Sequence, residues 1–308
     1  MNKIYILIAV LLFWSKIAAQ AGTIETTFTS FPGISAEDVA LDSQGRIIVV
    51  GAAGSVVRYT STGVIDAVFD PFPGIKAQAV VIDAQDRVIV GGKASILVRY
   101  SVEGILETTF VPFPGIDIQD LALDNLGRVI AVGLQGQVVR YSATGALETA
   151  FTIFPGIKTK AVALDAIQRA VVVGLQSFVI RYTPAGVLET TFVPFPGIRA
   201  QAIVIDAQQR SIVGGKSSFI IRYTPAGVIE TMFTLFPGIR IQALVIDSQG
   251  RTIAGGLQGQ IIRYSPAGIQ DVVFVPFPGI KCKALALDAQ ERLIAVGKQG
   301  AVVRYSTT

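Results

Sequence analysis

A four-residue motif, Phe-Pro-Gly-Ile, starts at Phe31, Phe72, Phe113, Phe154, Phe195, Phe236 and Phe277, each start 41 residues after the one before. Seven copies at a fixed period, without insertion, mark a repeat architecture. In such a chain one supersecondary unit stacks on its neighbours to bury a face it cannot bury alone. In the second repeat, Lys76 to Asp83, Arg87 to Gly92, Ile96 to Tyr100 and Gly104 to Phe110 are four runs rich in Val, Ile, Leu and aromatic residues. Gly, Pro, Asp and Ser separate them. The runs have strand length, and none keeps a 3.6-residue period. Four strands in about 40 residues is the pattern of a β-propeller blade, whereas a β-helix coil is much shorter.

The turns have physical reasons. Asp recurs at 42, 83, 124, 165, 206, 247 and 288, with Arg four positions later each time. An Asp at the first turn position bonds the backbone two residues on and holds the hairpin. Gly45, Gly127 and Gly250 precede that Arg in three repeats, and Asp86, Gln168, Gln209 and Glu291 in the others, so this turn is a modest constraint. Thr183 and Thr224 open Thr-Pro-Ala-Gly turns, where Gly supplies positive φ. The Pro-Gly after each Phe carries the crossing to the next blade.

The last repeat stops after its third strand. The fourth is supplied by Gly22 to Phe28, which reads like Gly186 to Phe192. The expected fold is therefore all-β: a single seven-bladed propeller over residues 22–308, its ring closed by the N-terminal strand in the last blade. Closure removes the unpaired edges of an open array. Arg58, Arg99, Arg140, Arg181, Arg222, Arg263 and Arg304 on third strands are expected opposite Asp66, Glu107, Glu148, Glu189, Glu230, Asp271 and, across the closure, Glu25.

Ahead of the repeats, Lys3 precedes an apolar run from Ile4 to Trp14, followed by small residues through Ala18, Ala19 and Ala21. That order is a secretory signal peptide, residues 1–21, with cleavage after Ala21 and Ala19 as the second choice. The run is shorter than the roughly 17–25 residues a bilayer span needs. A secreted or periplasmic protein that does not span the membrane after cleavage is expected. Without the leader, 24 basic and 22 acidic side chains remain, so net charge gives no case for nucleic acid. The single cysteine, Cys282, excludes an internal disulfide, and a closed ring of this size needs none.

Gly45 to Gly51, then Arg58-Tyr59, then Gly63 to Phe69 resemble the delta-sixty type propeller repeat, and more loosely NHL-type repeats. The resemblance covers all seven repeats. It implies a propeller in exported bacterial proteins and implies no activity.

The chain has no His, and its one Trp lies in the leader. That excludes Ser-His-Asp and Cys-His mechanisms and His-type zinc sites. No phosphate loop, paired metal motif or calcium loop appears, so no cofactor, metal site or catalytic residue is assigned. The Asp and Arg of the turns are the same in every blade and read as structure. Cys282 takes a position held elsewhere by Ala36, Ala77, Ile118, Thr159, Ala200 and Ile241, a small apolar slot.

Function is sought where the repeats differ. At blade entry the variable residue is Ser35, Lys76, Asp117, Lys158, Arg199, Arg240 or Lys281. Two residues on it is Glu37, Gln78, Gln119, Lys160, Gln201, Gln242 or Lys283. Period-two spacing directs both to one side of the strand. Blades 1 and 3 are acidic, with Asp38 and Asp120 adding to them. Blades 4 to 7 are basic, reinforced by Lys216 and Lys298 in the loops between second and third strands.

The leading expectation is an exported, monomeric, non-catalytic interaction module that takes an acidic ligand or a protein partner on this loop face. A multivalent lectin that takes a glycan ranks second; its sign would be a repeated exposed aromatic, for which Tyr59, Tyr100, Tyr141, Tyr182, Tyr223, Tyr264 and Tyr305 are the candidates, and these are expected to pack between blades instead. A carboxylate-dependent propeller hydrolase or lyase, using Asp117, Asp120 or Glu37 with a Lys, ranks third.

Overall fold

The computed structural model describes residues 22–306, apart from 30, 32–33, 53, 70–75, 153, 155–156 and 277–279. The expected signal peptide, residues 1–21, the entry motif at Phe72 and the first three residues of that at Phe277 lie outside the described residues. Val- and Ile-rich runs punctuated by turn residues form seven antiparallel four-stranded sheets. In blade 1 the strands are Ala36–Leu41, Ile47–Gly51, Val56–Tyr59 and Ile65–Val68, from the axis outwards. Blade 7 holds Cys282–Leu287, Leu293–Gly297 and Val302–Tyr305, and Ile24–Thr27 is its outer strand. Thr26 lies opposite Arg304, and Arg304 Nε sits 3.6 Å from Glu25 Oε2 within the same sheet. The ring is closed as the repeat phase requires.

Each hydrophobic cluster sits between two blades. Ile48, Val50 and Val56 of blade 1 pack on Val88, Val90, Val98 and Tyr100 of blade 2, with Phe69 between them. A Phe at the end of each outer strand meets the third-strand Tyr of the next blade. The Phe192–Tyr223 centroids are 5.5 Å apart, and Phe28–Tyr59 repeats the contact across the closure at 5.5 Å. All seven third-strand Tyr are buried between blades, as expected, so none is the exposed aromatic that a lectin would need.

The turn chemistry follows the sequence. Asp206 Oδ1 accepts from the N–H groups of Gln208 and Arg210, and its Oδ2 takes Arg210 Nε at 2.7 Å. The residue before Arg is left-handed whether or not it is glycine: φ is +72° at Gly45 and +62° at Gln209. The four non-glycine residues there reach to the preceding blade. Ser43 N–H donates to Asp86, Asn125 N–H to Gln168, Ala166 N–H to Gln209 and Ser248 N–H to Glu291. They offset their backbone strain with an inter-blade bond.

The Arg ladder differs from the expected register. Arg58 lies opposite Ala67 and Tyr59 opposite Ile65, so Asp66 is the extra residue of a bulge. The bulge still brings Asp66 Oδ2 to 2.6 Å from Arg58 Nε. Arg58 Nη1 meanwhile donates to the Val102 carbonyl of the next blade, and Arg304 Nη1 does the same to Ser61 across the closure.

Candidate functional site

Seven inner strands surround a cavity of about 230 Å³ on the ring axis. Inner strands carry a bulge near their start: Ala36 pairs with Gly51 and Asp38 with Val50, leaving Glu37 as the extra residue. The bulge lets two consecutive positions line the cavity. The upper ring is Glu37, Gln78, Gln119, Lys160, Gln201, Gln242 and Lys283; beneath it lie Asp38, Asp120, Ala161, Ala202, Ala243 and Ala284.

This corrects one expectation. Period-two spacing would put the blade-entry residues on the same wall, yet the bulge at the next position breaks that phase. Lys76, Lys158, Arg199, Arg240 and Lys281 are exposed around the rim and do not line the cavity. Asp117 is half-buried, and its Oδ1 accepts from the Ala94 N–H of the neighbouring blade at 3.2 Å. The two variable loop sets do share a face. Lys216 N–H bonds the Arg199 carbonyl at 3.3 Å and Lys298 N–H the Lys281 carbonyl at 3.4 Å, so each loop lies on its own blade's entry. Of the ten sequence candidates, Lys160 and Lys283 enter the cavity wall.

The upper ring is internally bonded. Lys283 Nζ pairs with Glu37 Oε2 at 2.6 Å, and Lys160 Nζ donates to Gln119 Oε1 at 2.6 Å. Gln78, Gln201 and Gln242 each donate their amide N–H to a carbonyl of their own strand, at 3.0, 2.8 and 2.9 Å. A carbonyl accepts only from the NH₂ group, which fixes each amide and leaves its oxygen to the cavity.

The lower ring holds two carboxyls held across blades. Asp38 Oδ1 accepts from Val39 N–H and Oδ2 from Val80 N–H of blade 2, each at 2.8 Å. Asp120 accepts from Leu121 N–H at 2.8 Å and from Val162 N–H of blade 4 at 2.9 Å. Burial pushes the Asp38 carboxyl up to about 8, reinforced by the nearby Asp120 and opposed by its two N–H donors. Burial likewise raises Asp120 to about 7. On the basic side, burial lowers the Lys160 ammonium to about 8, with Lys216, Lys283 and Lys93 adding repulsion. Lys216 is lowered by burial and then by Arg199, Arg240 and Lys283.

Cys282 is fully buried and its thiol is pushed up to about 12 by that burial, which fits an inert core position. Among the described residues no group of three or more His, Cys, Asp or Glu could hold a metal ion. Sequence reading took Asp38 and Asp120 as added loop acidity and missed that they bridge blades. The signal was available in the Ala at 79, 161, 202, 243 and 284 of the other repeats.

No family model and no curated protein matches the chain. Solved structures do. A streptogramin B lyase superposes with a TM-score of 0.83 at 14% identity, over 92% of this chain and 97% of the other. The virginiamycin B lyase of Staphylococcus aureus gives 0.84 at 15% identity, over 92% and 99%. The WD40 β-propeller domain of Doa1 gives 0.82 at 12% identity, over 92% and 96%. At these identities the likeness is one of fold: the chain is a seven-bladed β-propeller.

Proposed function

We propose that this propeller is an exported, non-catalytic binding module that takes an anionic ligand on the face holding the channel mouth. The observation that carries the reading is the gathering of like charge there. Lys160 stands in the cavity wall within the field of Lys216, Lys283 and Lys93, and Lys216 lies within that of Arg199, Arg240 and Lys283; Glu37 pairs with Lys283. Holding such groups together costs free energy that a bound anion returns, and the patch raises the local concentration of anions. The signal-peptide pattern of residues 1–21 and the delta-sixty resemblance support an extracytoplasmic ligand.

A lyase reading has less support. A catalytically inactive virginiamycin B lyase carries a histidine-to-alanine substitution, and this chain has no histidine to fill such a role. The test is binding of fluorescent poly-L-glutamate by anisotropy at low salt. The triple variant Arg199→Glu, Arg240→Glu, Lys281→Glu is expected to bind at least about ten-fold more weakly, the whole effect shrinking with added salt. Equal binding by both proteins, or none by the unmodified one, would overturn the proposal.

A further inference from the structure

We infer that the channel seats the carboxylate of a small ligand against backbone N–H groups of blades 5 to 7; this rests on the anionic reading and gives it a chemical class and an address. The argument begins with strand edges. The inner strand of every blade pairs on one side only, so its other edge turns N–H groups to the axis. In blade 5 the hairpin closes with Asp206 N–H on the Arg210 carbonyl at 3.0 Å. Alternation then directs the N–H groups of Val204 and Ala202 to the second strand, where they face Ile212 and Gly214. The N–H of Ile203, between them, faces the channel.

The equivalent N–H groups of blades 1 to 4 already have occupants. Asp38 bridges Val39 and Val80, and Asp120 bridges Leu121 and Val162. Each carboxyl group spans two neighbouring blades with one oxygen for each. Blades 5, 6 and 7 carry Ala202, Ala243 and Ala284 at the Asp position, and an alanine offers no acceptor. Ile203, Leu244 and Leu285 line the cavity there, with no side-chain acceptor on their N–H groups among the described residues.

The protein thus shows twice, with its own side chains, how a carboxyl group sits between adjacent blades. A carboxylate of the same geometry fits between Ile203 and Leu244, or between Leu244 and Leu285. Small alanine side chains leave the room for it. Lys160, bonded to the neutral amide of Gln119, flanks the arc from blade 4 and supplies compensating charge, while Lys283 on blade 7 is held by Glu37. A cavity of about 230 Å³ admits a small acid or the acidic end of a longer chain, not a folded partner.

The test is titration calorimetry with succinate and with glucuronate on the unmodified protein and on Ala243→Asp. The substitution supplies an internal carboxylate beside Leu244 and Leu285, as Asp38 does beside Val39 and Val80. Affinity for both probes is expected to fall by at least about ten-fold. Ala202→Asp is the second variant, with the same expectation. Blades 1 and 3 already carry Asp at this position, and a melting curve checks that each variant folds. No binding of either probe by the unmodified protein, or equal binding by the variants, would overturn the inference. In that case poly-L-glutamate binding, if retained, leaves the anionic reading standing; its absence removes that reading independently.

Discussion

Tyr223 shows how much one side chain can carry. Its ring packs at a tilt against Phe192 with centroids 5.5 Å apart, while its hydroxyl is buried without a partner among the described residues, and burial raises its pKa to about 12. Removing an unsatisfied buried hydroxyl while keeping the ring should stabilise: Tyr223→Phe is expected to gain about 1 kcal/mol in chemical denaturation. A loss of that size would reveal a bond the hydroxyl makes. Titratable residues of the channel give a second test. Between pH 3.8 and about 8 the native state keeps protons on Asp38 and Asp120 that the unfolded chain releases, so stability falls as pH rises through that window. From about 8 to 10.5 the unfolded chain keeps the Lys160 proton that the native state has shed, so stability recovers. Tm against pH should therefore dip near pH 8, and the double variant Asp38→Ala, Asp120→Ala should flatten the acid limb. A maximum at pH 8 would contradict the assignment of these groups.

At the scale of elements, the hairpin between first and second strands is held by one side chain. Asp206 makes two bonds to backbone N–H groups and one to Arg210, and is itself buried. Asp206→Ala is expected to cost about 2 kcal/mol, read from the denaturant midpoint at unchanged slope. This turn was legible in advance, because Asp followed four residues later by Arg states its own mechanism. The left-handed residue between them was legible only in part. Gly45 and Gln209 read as interchangeable, yet Gln209 also caps Ala166 of the preceding blade, a contact 43 residues away that no local pattern encodes. The inner-strand bulge was hidden for a related reason. It depends on how Ala36 and Asp38 register against Gly51 and Val50, and it decided which variable residues line the channel.

At the scale of the molecule, seven copies of the 41-residue period give the number of blades, and the outer-strand pattern of Gly22 to Phe28 gives the way the ring closes. The site was less legible, since it is built from strand edges and from alanines that matter by what they lack. If closure is equivalent to the other interfaces, Phe28→Ala should destabilise by about as much as Phe192→Ala, each by roughly 3–5 kcal/mol. Both rings are buried, and both sit 5.5 Å from their Tyr partner. A much smaller loss at Phe28 would mean that the closing strand opens independently of the ring.

The claim that the channel of this ring is a carboxylate seat is tested most directly by amide chemical shifts in an ¹⁵N-labelled sample titrated with glucuronate. The account predicts that the N–H signals of Ile203, Leu244 and Leu285 move together along one saturating curve. Those of Val39 and Val80, already held by Asp38, should stay in place. Shifts confined to the rim around Arg199 and Arg240, or equal shifts in all seven blades, would contradict it.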